Sequence, residues 1–113
     1  MTSERDIQAD IWRSVSQFSR LFRNNVGAFK QAGKFIRFGL TKGSSDLIGW
    51  TPVEITQDMV GSTVAVFTAI ECKTKAGKAT PAQLYFVERV KLDGGYAAIA
   101  RSVEDAMKAI GKG

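Results

Sequence analysis

Three charged side chains stand out by their type and spacing: Asp46, Glu71 and Lys73. Asp46 follows a loop with a glycine and two serines, and Glu71 and Lys73 end the most apolar run of the chain, residues 64–70. Side chains two residues apart on a strand point to the same face, so we expect Glu71 and Lys73 to act together. Carboxylates beside an amine form a salt bridge, share a proton or bind a hard divalent cation.

For Asp46 and Glu71 to meet, the strands that carry them must pair. We expect the strand that begins at Asp46 and the strand over residues 64–73 to form an antiparallel hairpin, with its turn in the polar loop 57–61. In that register the Cβ atoms of the two acids lie about 4.5–5.5 Å apart on one face. Lys73 shares this face.

Such a pair of carboxylates needs a partner. At about 4 Å and an effective dielectric constant near 20, the two charges repel by roughly 4 kcal/mol. A shared proton, a bridge from Lys73 or a cation such as Mg²⁺ or Mn²⁺ would offset this repulsion, and the geometry leaves all three open. Cys72 points to the opposite face, where we expect its side chain to pack, while its backbone carbonyl lies at the same strand end.

The composition excludes several kinds of chemistry. The 113 residues include no histidine and one cysteine, which excludes Ser-His-Asp and Cys-His catalysis, histidine-based zinc sites and internal disulfides. A lone cysteine fits a reducing compartment, and neither a signal peptide nor a membrane span is recognisable. We therefore expect an intracellular, cytoplasmic protein with one domain over residues 1–113.

The positive charge is concentrated in one part of the chain. The formal net charge is +5, and no acidic residue occurs between Asp10 and Asp46. That interval contains seven cations: Arg13, Arg20, Arg23, Lys30, Lys34, Arg37 and Lys42. Such a block indicates either a polyanionic partner, most often nucleic acid, or a solvated basic face.

Periodicity and turn residues predict a mixed α/β fold, an α+β arrangement around a mixed sheet, in the order α-β-β-β-β-α-β-α. Apolar residues at helical spacing predict a helix over residues 4–23, and the segment Thr80-Pro81-Ala82-Gln83 predicts the start of another. The expected strands cover residues 24–31, 34–39, 46–50 (weakly to 55), 64–73 and 96–101, with a last helix capped by Ser102 and ending near Gly111. The strand 64–73, apolar on both faces, is expected to be central.

The spacing Asp46-x(24)-Glu71-Cys72-Lys73 resembles the PD-(D/E)xK nuclease signature. Nearly the whole chain resembles the virus-type replication-repair nuclease (VRR-NUC) domain of that superfamily, in its stand-alone phage or prophage form. The matching segments are residues 21–29, 36–49 and 69–106, with an acid at Glu4. Ser45 stands where the superfamily name has proline, a position that is not a ligand.

The resemblance implies a PD-(D/E)xK core in which Asp46, Glu71 and the Cys72 carbonyl bind Mg²⁺ or Mn²⁺. It implies that Lys73 orients the attacking water or stabilises charge on the phosphate. Gln83 would lie near the site or only close a capping box. Glu4 would reach the metal or only act as an acid at a helix N-terminus.

The remaining candidate residues are expected to contact DNA. The family's "RNN-G" stretch is matched by Arg23, Asn24 and Asn25. We expect these residues to contact the DNA backbone, to line the site or to cap the first helix. Lys75 and Lys78 follow the site strand and either bind phosphate or lie in a solvated turn. Lys42 belongs to the basic block.

The function that follows is a metal-dependent endonuclease that cuts branched DNA, such as Holliday junctions, as a homodimer without a membrane partner. Stand-alone members of the family resemble archaeal junction resolvases. Two alternatives are a non-catalytic basic DNA-binding protein, in which the three charged residues form only a salt bridge, and a sequence-specific restriction-type nuclease.

Overall fold

The structure, a computed structural model, describes residues 3–113. The chain divides into two compact units, the first ending at Pro52 and the second running from Val53 to Gly113. The first unit contains α1 (Glu4–Val15), β1 (Arg20–Arg23), β2 (Gly27–Gln31), β3 (Lys34–Phe38) and β4 (Leu47–Trp50). The second contains a short 3-10 helix (Gln57–Met59), β5 (Thr68–Cys72), α2 (Pro81–Leu92), β6 (Tyr96–Ala100) and α3 (Val103–Ala109).

In the first unit, the helix predicted over residues 4–23 ends at Val15 and is followed by a strand. Ser3 caps α1, since its hydroxyl accepts a hydrogen bond from the Asp6 amide. β1 pairs antiparallel with β4, and the Phe22 and Trp50 rings lie 5.5 Å apart. Phe22 fits a helical stripe in the sequence, but pairing with a distant strand determines its conformation. The prediction was therefore wrong for residues 16–23.

β2 and β3 lie within the strands predicted over residues 24–31 and 34–39, and they form a hairpin in antiparallel register from Gly27 opposite Phe38 to Gln31 opposite Lys34. The two residues of its turn, Ala32 and Gly33, have φ values of 52° and 78°. Two successive positive φ values are the mark of a type I′ turn, whose twist matches that of the flanking strands.

The second unit is built on a parallel pair of strands, β5 and β6, joined by α2. α2 begins as predicted: the Thr80 hydroxyl accepts from the Gln83 amide, the Gln83 Oε1 accepts from the Thr80 amide, and Pro81 is the first helical residue. Val90 of α2 is 1% exposed, and Ala97 and Ala100 of β6 are also buried. This small core fixes α2 against the β5–β6 pair.

The mixed α/β class is confirmed, but the strands pair differently from the expectation. Among residues 3–113, β4 pairs with β1 and β5 with β6, so the hairpin predicted between the strands of Asp46 and Glu71 is not the observed pairing. The segment 20–23, predicted as helix, supplies the partner of β4 and adds a strand to the predicted order.

The predicted strand over residues 64–73 is also shorter, because regular pairing begins only at Thr68. Val64 and Val66 precede β5 without regular secondary structure and are exposed. An apolar run shows a preference for burial, but it does not supply the neighbouring strand that a β-strand needs.

Candidate active site

Asp46 lies immediately before β4, at the end of the loop over residues 40–46. Its backbone carbonyl accepts a hydrogen bond of 2.8 Å from the Asn24 amide, which continues the β1–β4 ladder by one step. Its side chain is exposed. The first unit therefore fixes the backbone of Asp46 and leaves its carboxylate accessible.

The Asn24 side chain binds the loop that leads to Asp46. Its Nδ2 donates to the Ser44 Oγ at 2.7 Å and to the Ser45 carbonyl at 2.9 Å. Its Oδ1 accepts from the Leu40 amide at 3.0 Å. Asn24 was predicted to contact DNA, line the site or cap the first helix; in the structure α1 ends at Val15, and the Asn24 amide makes contacts within the protein.

Ser44 completes this network. Its hydroxyl donates to the Thr41 carbonyl at 2.6 Å, and its backbone amide donates to the same carbonyl at 3.0 Å. Sequence reasoning did not identify Ser44 as a functional candidate. Thr41 and Ser44 are three positions apart, which is the spacing of a β-turn, and this spacing could have indicated the turn.

In the second unit, Glu71 lies in β5 and Lys73 directly follows that strand. Both residues are half-buried. The Lys73 amide donates to the Ala100 carbonyl at 3.0 Å, which extends the β5–β6 pairing past Cys72 and fixes the Lys73 backbone. Cys72 is exposed as a free thiol, so the expectation that its side chain packs was wrong.

Glu71 and Gln83 line one cavity of about 410 Å³ between β5 and α2. Its remaining walls are apolar: Ala69, Ile70, Ala82, Phe86 and Val87. The Gln83 Oε1 is bound at the helix cap, so the side chain is held at the N-terminus of α2. A carboxylate near that end of a helix is favoured by the helix dipole.

No ion pair joins Lys73 to Glu71 anywhere in the part of the chain that the structure describes. Within the described residues, Lys73 therefore does not form the structural salt bridge to Glu71 that was one of the alternatives. The carboxylate and the amine lie two residues apart and are both free to bind other groups.

One family model matches the chain: the VRR-NUC domain, over residues 2–104. The chain belongs to the VRR-NUC family. Neither a curated protein nor a solved structure matches it. The match spans both units, and it confirms the resemblance read from the sequence. The chain is thus a nuclease domain of the virus-type replication-repair kind, with DNA as its substrate.

The other predicted residues of this VRR-NUC domain lie in both units. Glu4 is in the first turn of α1, where an acid stabilises the helix N-terminus. Arg23 ends β1, Asn25 follows Asn24, and Lys42 lies in the loop that Asn24 binds. Arg23, Asn25 and Lys42 are exposed, and their contacts with DNA stay a prediction.

Lys75 and Lys78 occupy a turn that is tightly held. The Arg101 Nη1 donates to the Thr74 carbonyl at 2.5 Å and to the Gly77 carbonyl at 2.6 Å. Arg101 was not predicted as a functional residue, because it lies 27 positions from Thr74 along the chain and no local sequence pattern links the two. The turn therefore presents two exposed lysines directly after Lys73.

Nucleases of the VRR-NUC family generally depend on divalent metals. Within residues 3–113, no three or more Cys, Asp or Glu side chains gather as a metal-binding cluster. The donors available are carboxylate and carbonyl oxygens, which suit hard cations such as Mg²⁺ and Mn²⁺. The accessible Asp46 and the cavity-lining Glu71 fit such an ion by their chemistry. Among the same residues, no helix has the length and apolar character needed to span a membrane.

Proposed function

We propose that this VRR-NUC domain is a Mg²⁺- or Mn²⁺-dependent endonuclease that hydrolyses phosphodiester bonds in branched DNA, such as four-way junctions, as a homodimer. The family supports the nuclease activity. The observation that carries the proposal is the half-buried Glu71 in a cavity with Gln83. Lys73 lies two residues along the chain, and no ion pair joins it to Glu71 within residues 3–113.

In this proposal Asp46, Glu71 and the Cys72 carbonyl hold the divalent ion. When bound, such an ion polarises the scissile phosphate and lowers the pKa of a bound water. The carboxylates are accessible for this role, because Asp46 is exposed and Glu71 faces a cavity. Glu4 is a further candidate ligand from the first turn of α1.

Lys73 orients the attacking water or stabilises the negative charge that develops on the phosphate. Its backbone is fixed by the bond to Ala100, so a flexible side chain extends from a rigid point. Gln83 contributes the N–H groups of its side-chain amide, which is already oriented by the bond between its Oε1 and Thr80. A positioned donor of this kind stabilises charge without reorganisation during the reaction.

The preference for branched DNA rests on the size of the domain and on symmetry. One domain with one site cuts one strand, and a two-fold dimer presents two sites to two opposed strands. The basic block over residues 11–45 binds phosphate without reading bases, so sequence specificity is low. Arg23, Asn25, Lys42, Lys75 and Lys78 are the proposed phosphate contacts.

The test is cleavage of a labelled four-way junction and of a linear duplex, each with Mg²⁺, Mn²⁺ or EDTA. We expect the junction to be cut in both metals to leave 5′-phosphate termini, with no cutting in EDTA and none by Glu71→Ala. Binding without cleavage under every condition supports the non-catalytic alternative. Cutting of the linear duplex at one defined sequence supports the restriction-type alternative.

Whether Asp46 and Glu71 bind the same ion is tested by calorimetric titration with Mn²⁺. If they share one ion, Asp46→Ala and Glu71→Ala each weaken its binding, and the double variant loses much less than the sum of the two losses. Additive losses contradict a shared ion. Static light scattering of the wild type tests the homodimer.

A further inference from the structure

We infer that Asn24 is a positioning residue for Asp46, and that this is its function rather than contact with DNA. The inference rests on the proposed metal-binding role of Asp46. Asn24 makes one backbone hydrogen bond and three side-chain hydrogen bonds to the loop over residues 40–46. These bonds contact both the beginning of the loop, at Leu40, and its end, at Ser44, Ser45 and Asp46. The loop cannot move away from β1 without breaking them.

The chemistry of the partners fixes the orientation of the amide. The Ser45 carbonyl can only accept a hydrogen bond, and the Leu40 amide can only donate one. The Nδ2 of Asn24 must therefore face Ser45, and its Oδ1 must face Leu40. The substitution Asn24→Asp would keep the shape of the side chain, but it would set a carboxylate oxygen against the Ser45 carbonyl.

Asn24 is half-buried, as is Ser44, so these bonds are partly protected from competition by water. Asp46 is held through its backbone while its carboxylate stays exposed. A ligand on such a supported loop loses little conformational freedom when it binds a metal. Removing the support should weaken metal binding and leave the chemistry of the bound state intact.

The experiment compares wild type, Asn24→Ala, Asn24→Asp and Ser44→Ala. Mn²⁺ affinity is measured by calorimetry, cleavage rate is measured against metal concentration, and exchange of the Leu40 amide is followed by NMR. We expect Asn24→Ala to weaken Mn²⁺ binding about tenfold, a loss typical of partners that orient metal ligands. The maximal rate at saturating metal should stay within about threefold, and Leu40 exchange should accelerate.

Two comparisons make this result specific. Asn24→Asp should be at least as impaired as Asn24→Ala despite its shape, and Ser44→Ala should add little to Asn24→Ala in the double variant. Gln31→Ala removes an exposed amide from the same unit and should leave Mn²⁺ affinity unchanged. Unchanged Mn²⁺ affinity in Asn24→Ala overturns the inference. No Mn²⁺ uptake by wild type overturns the proposed metal site, and the inference with it.

A second inference comes from the β2–β3 hairpin, and it deepens the proposed function by naming the part of the substrate that this element contacts. Lys30 is paired with Phe35 and Ala28 with Arg37, so these four side chains share one face of the hairpin. All four are exposed, and Phe35 is 68% exposed. The Lys30 Nζ lies 5.2 Å from the centre of the Phe35 ring.

The opposite face of the hairpin carries rings that are less exposed than Phe35, with Phe29 at 47% and Phe38 at 45%. There the Phe29 and Phe38 rings lie 6.3 Å apart and pack against each other. The Phe35 ring, on its own face, is flanked by the cations Lys30 and Arg37. An exposed ring between two positive charges fits a nucleotide, since phosphates pair with the cations and an unpaired base stacks on the ring. We propose that this face binds unpaired bases, such as those in a single-stranded arm of branched DNA.

The test measures binding in EDTA, where no cleavage occurs, to a short oligodeoxythymidine and to a linear duplex. Phe35→Ala should weaken binding to the single strand about tenfold, within the range of base stacking on aromatic side chains. Binding to duplex should change less than about twofold. Phe35→Leu keeps the apolar bulk and should behave like Phe35→Ala, whereas Phe35→Tyr should bind like wild type.

Equal losses on both DNAs, or no loss on the single strand, overturn this proposal. Lys30→Ala and Arg37→Ala should each weaken binding to both DNAs and reduce the salt slope by about one. Because binding is measured without metal, the result does not depend on whether the domain cleaves. A failure here is thus distinct from a failure of the nuclease assay.

Discussion

At the scale of single residues, Glu71 is the side chain whose surroundings are best defined. It is half-buried, faces the cavity with Gln83, and has no ion pair with Lys73 within residues 3–113. Residue types alone pointed to this chemistry, because a chain without histidine has few other means of hydrolysis. The predicted relation of Glu71 to Asp46 was based on a strand pairing that residues 3–113 do not contain.

We predict that Glu71→Gln lowers the cleavage rate at least about a hundredfold and leaves the thermal unfolding temperature nearly unchanged. The substitution keeps the shape of the side chain but removes the charge that binds a divalent cation. Glu88→Gln, on the exposed surface of α2, is the matched control and should retain activity. A Glu71→Gln variant that cleaves at the wild-type rate would contradict the proposed site.

Gln83 allows capping and catalysis to be separated. Glutamate also closes a capping box, so Gln83→Glu should keep α2 and its stability while placing a second carboxylate in the cavity with Glu71. We predict a loss of cleavage activity with unchanged stability. Thr80→Ala should do the reverse, costing about 1 kcal/mol of unfolding free energy and less activity. Rate assays and urea denaturation distinguish the two outcomes.

At the scale of elements, local signals predicted the structure best. The start of α2 was identified because a threonine cap, a proline and a glutamine lie within a few residues of one another. The end of α1 was missed because its continuation as β1 depends on β4, a strand that is distant along the chain. The buried Ser19 hydroxyl, 2.6 Å from the Thr51 hydroxyl, is part of the same distant pairing. Contacts between residues that are distant along the chain cannot be recognised from local sequence patterns.

The β2–β3 turn offers a prediction at this scale. Ala32 has a φ of 52°, a left-handed conformation that costs an L-residue with a Cβ about 1–2 kcal/mol. Asn-Gly is the preferred sequence of such turns. Ala32→Asn should therefore raise the unfolding free energy by about 0.5–1 kcal/mol in urea denaturation. Gly33→Ala, at a φ of 78°, should lower it.

At the scale of the whole molecule, the charge distribution predicts how DNA binding responds to salt. The segment between Asp10 and Asp46 has seven cations and no acid. If three or four of them contact phosphate, log affinity plotted against log salt has a slope of about −3. Fluorescence anisotropy with a labelled junction over a salt series measures the slope. A slope near zero would contradict a phosphate-binding role for this segment.

The parallel pairing of β5 with β6 has a consequence for the order in which the domain matures during translation. The backbone contact at Asp46 joins residues 24 and 46, so its partners are synthesised well before β6. The strand that contains Glu71 can pair only after residues 96–100 have been synthesised, because its partner is β6. A nascent polypeptide that ends before residue 96 therefore lacks the strand partner of Glu71, so its proposed hydrolytic centre is not assembled.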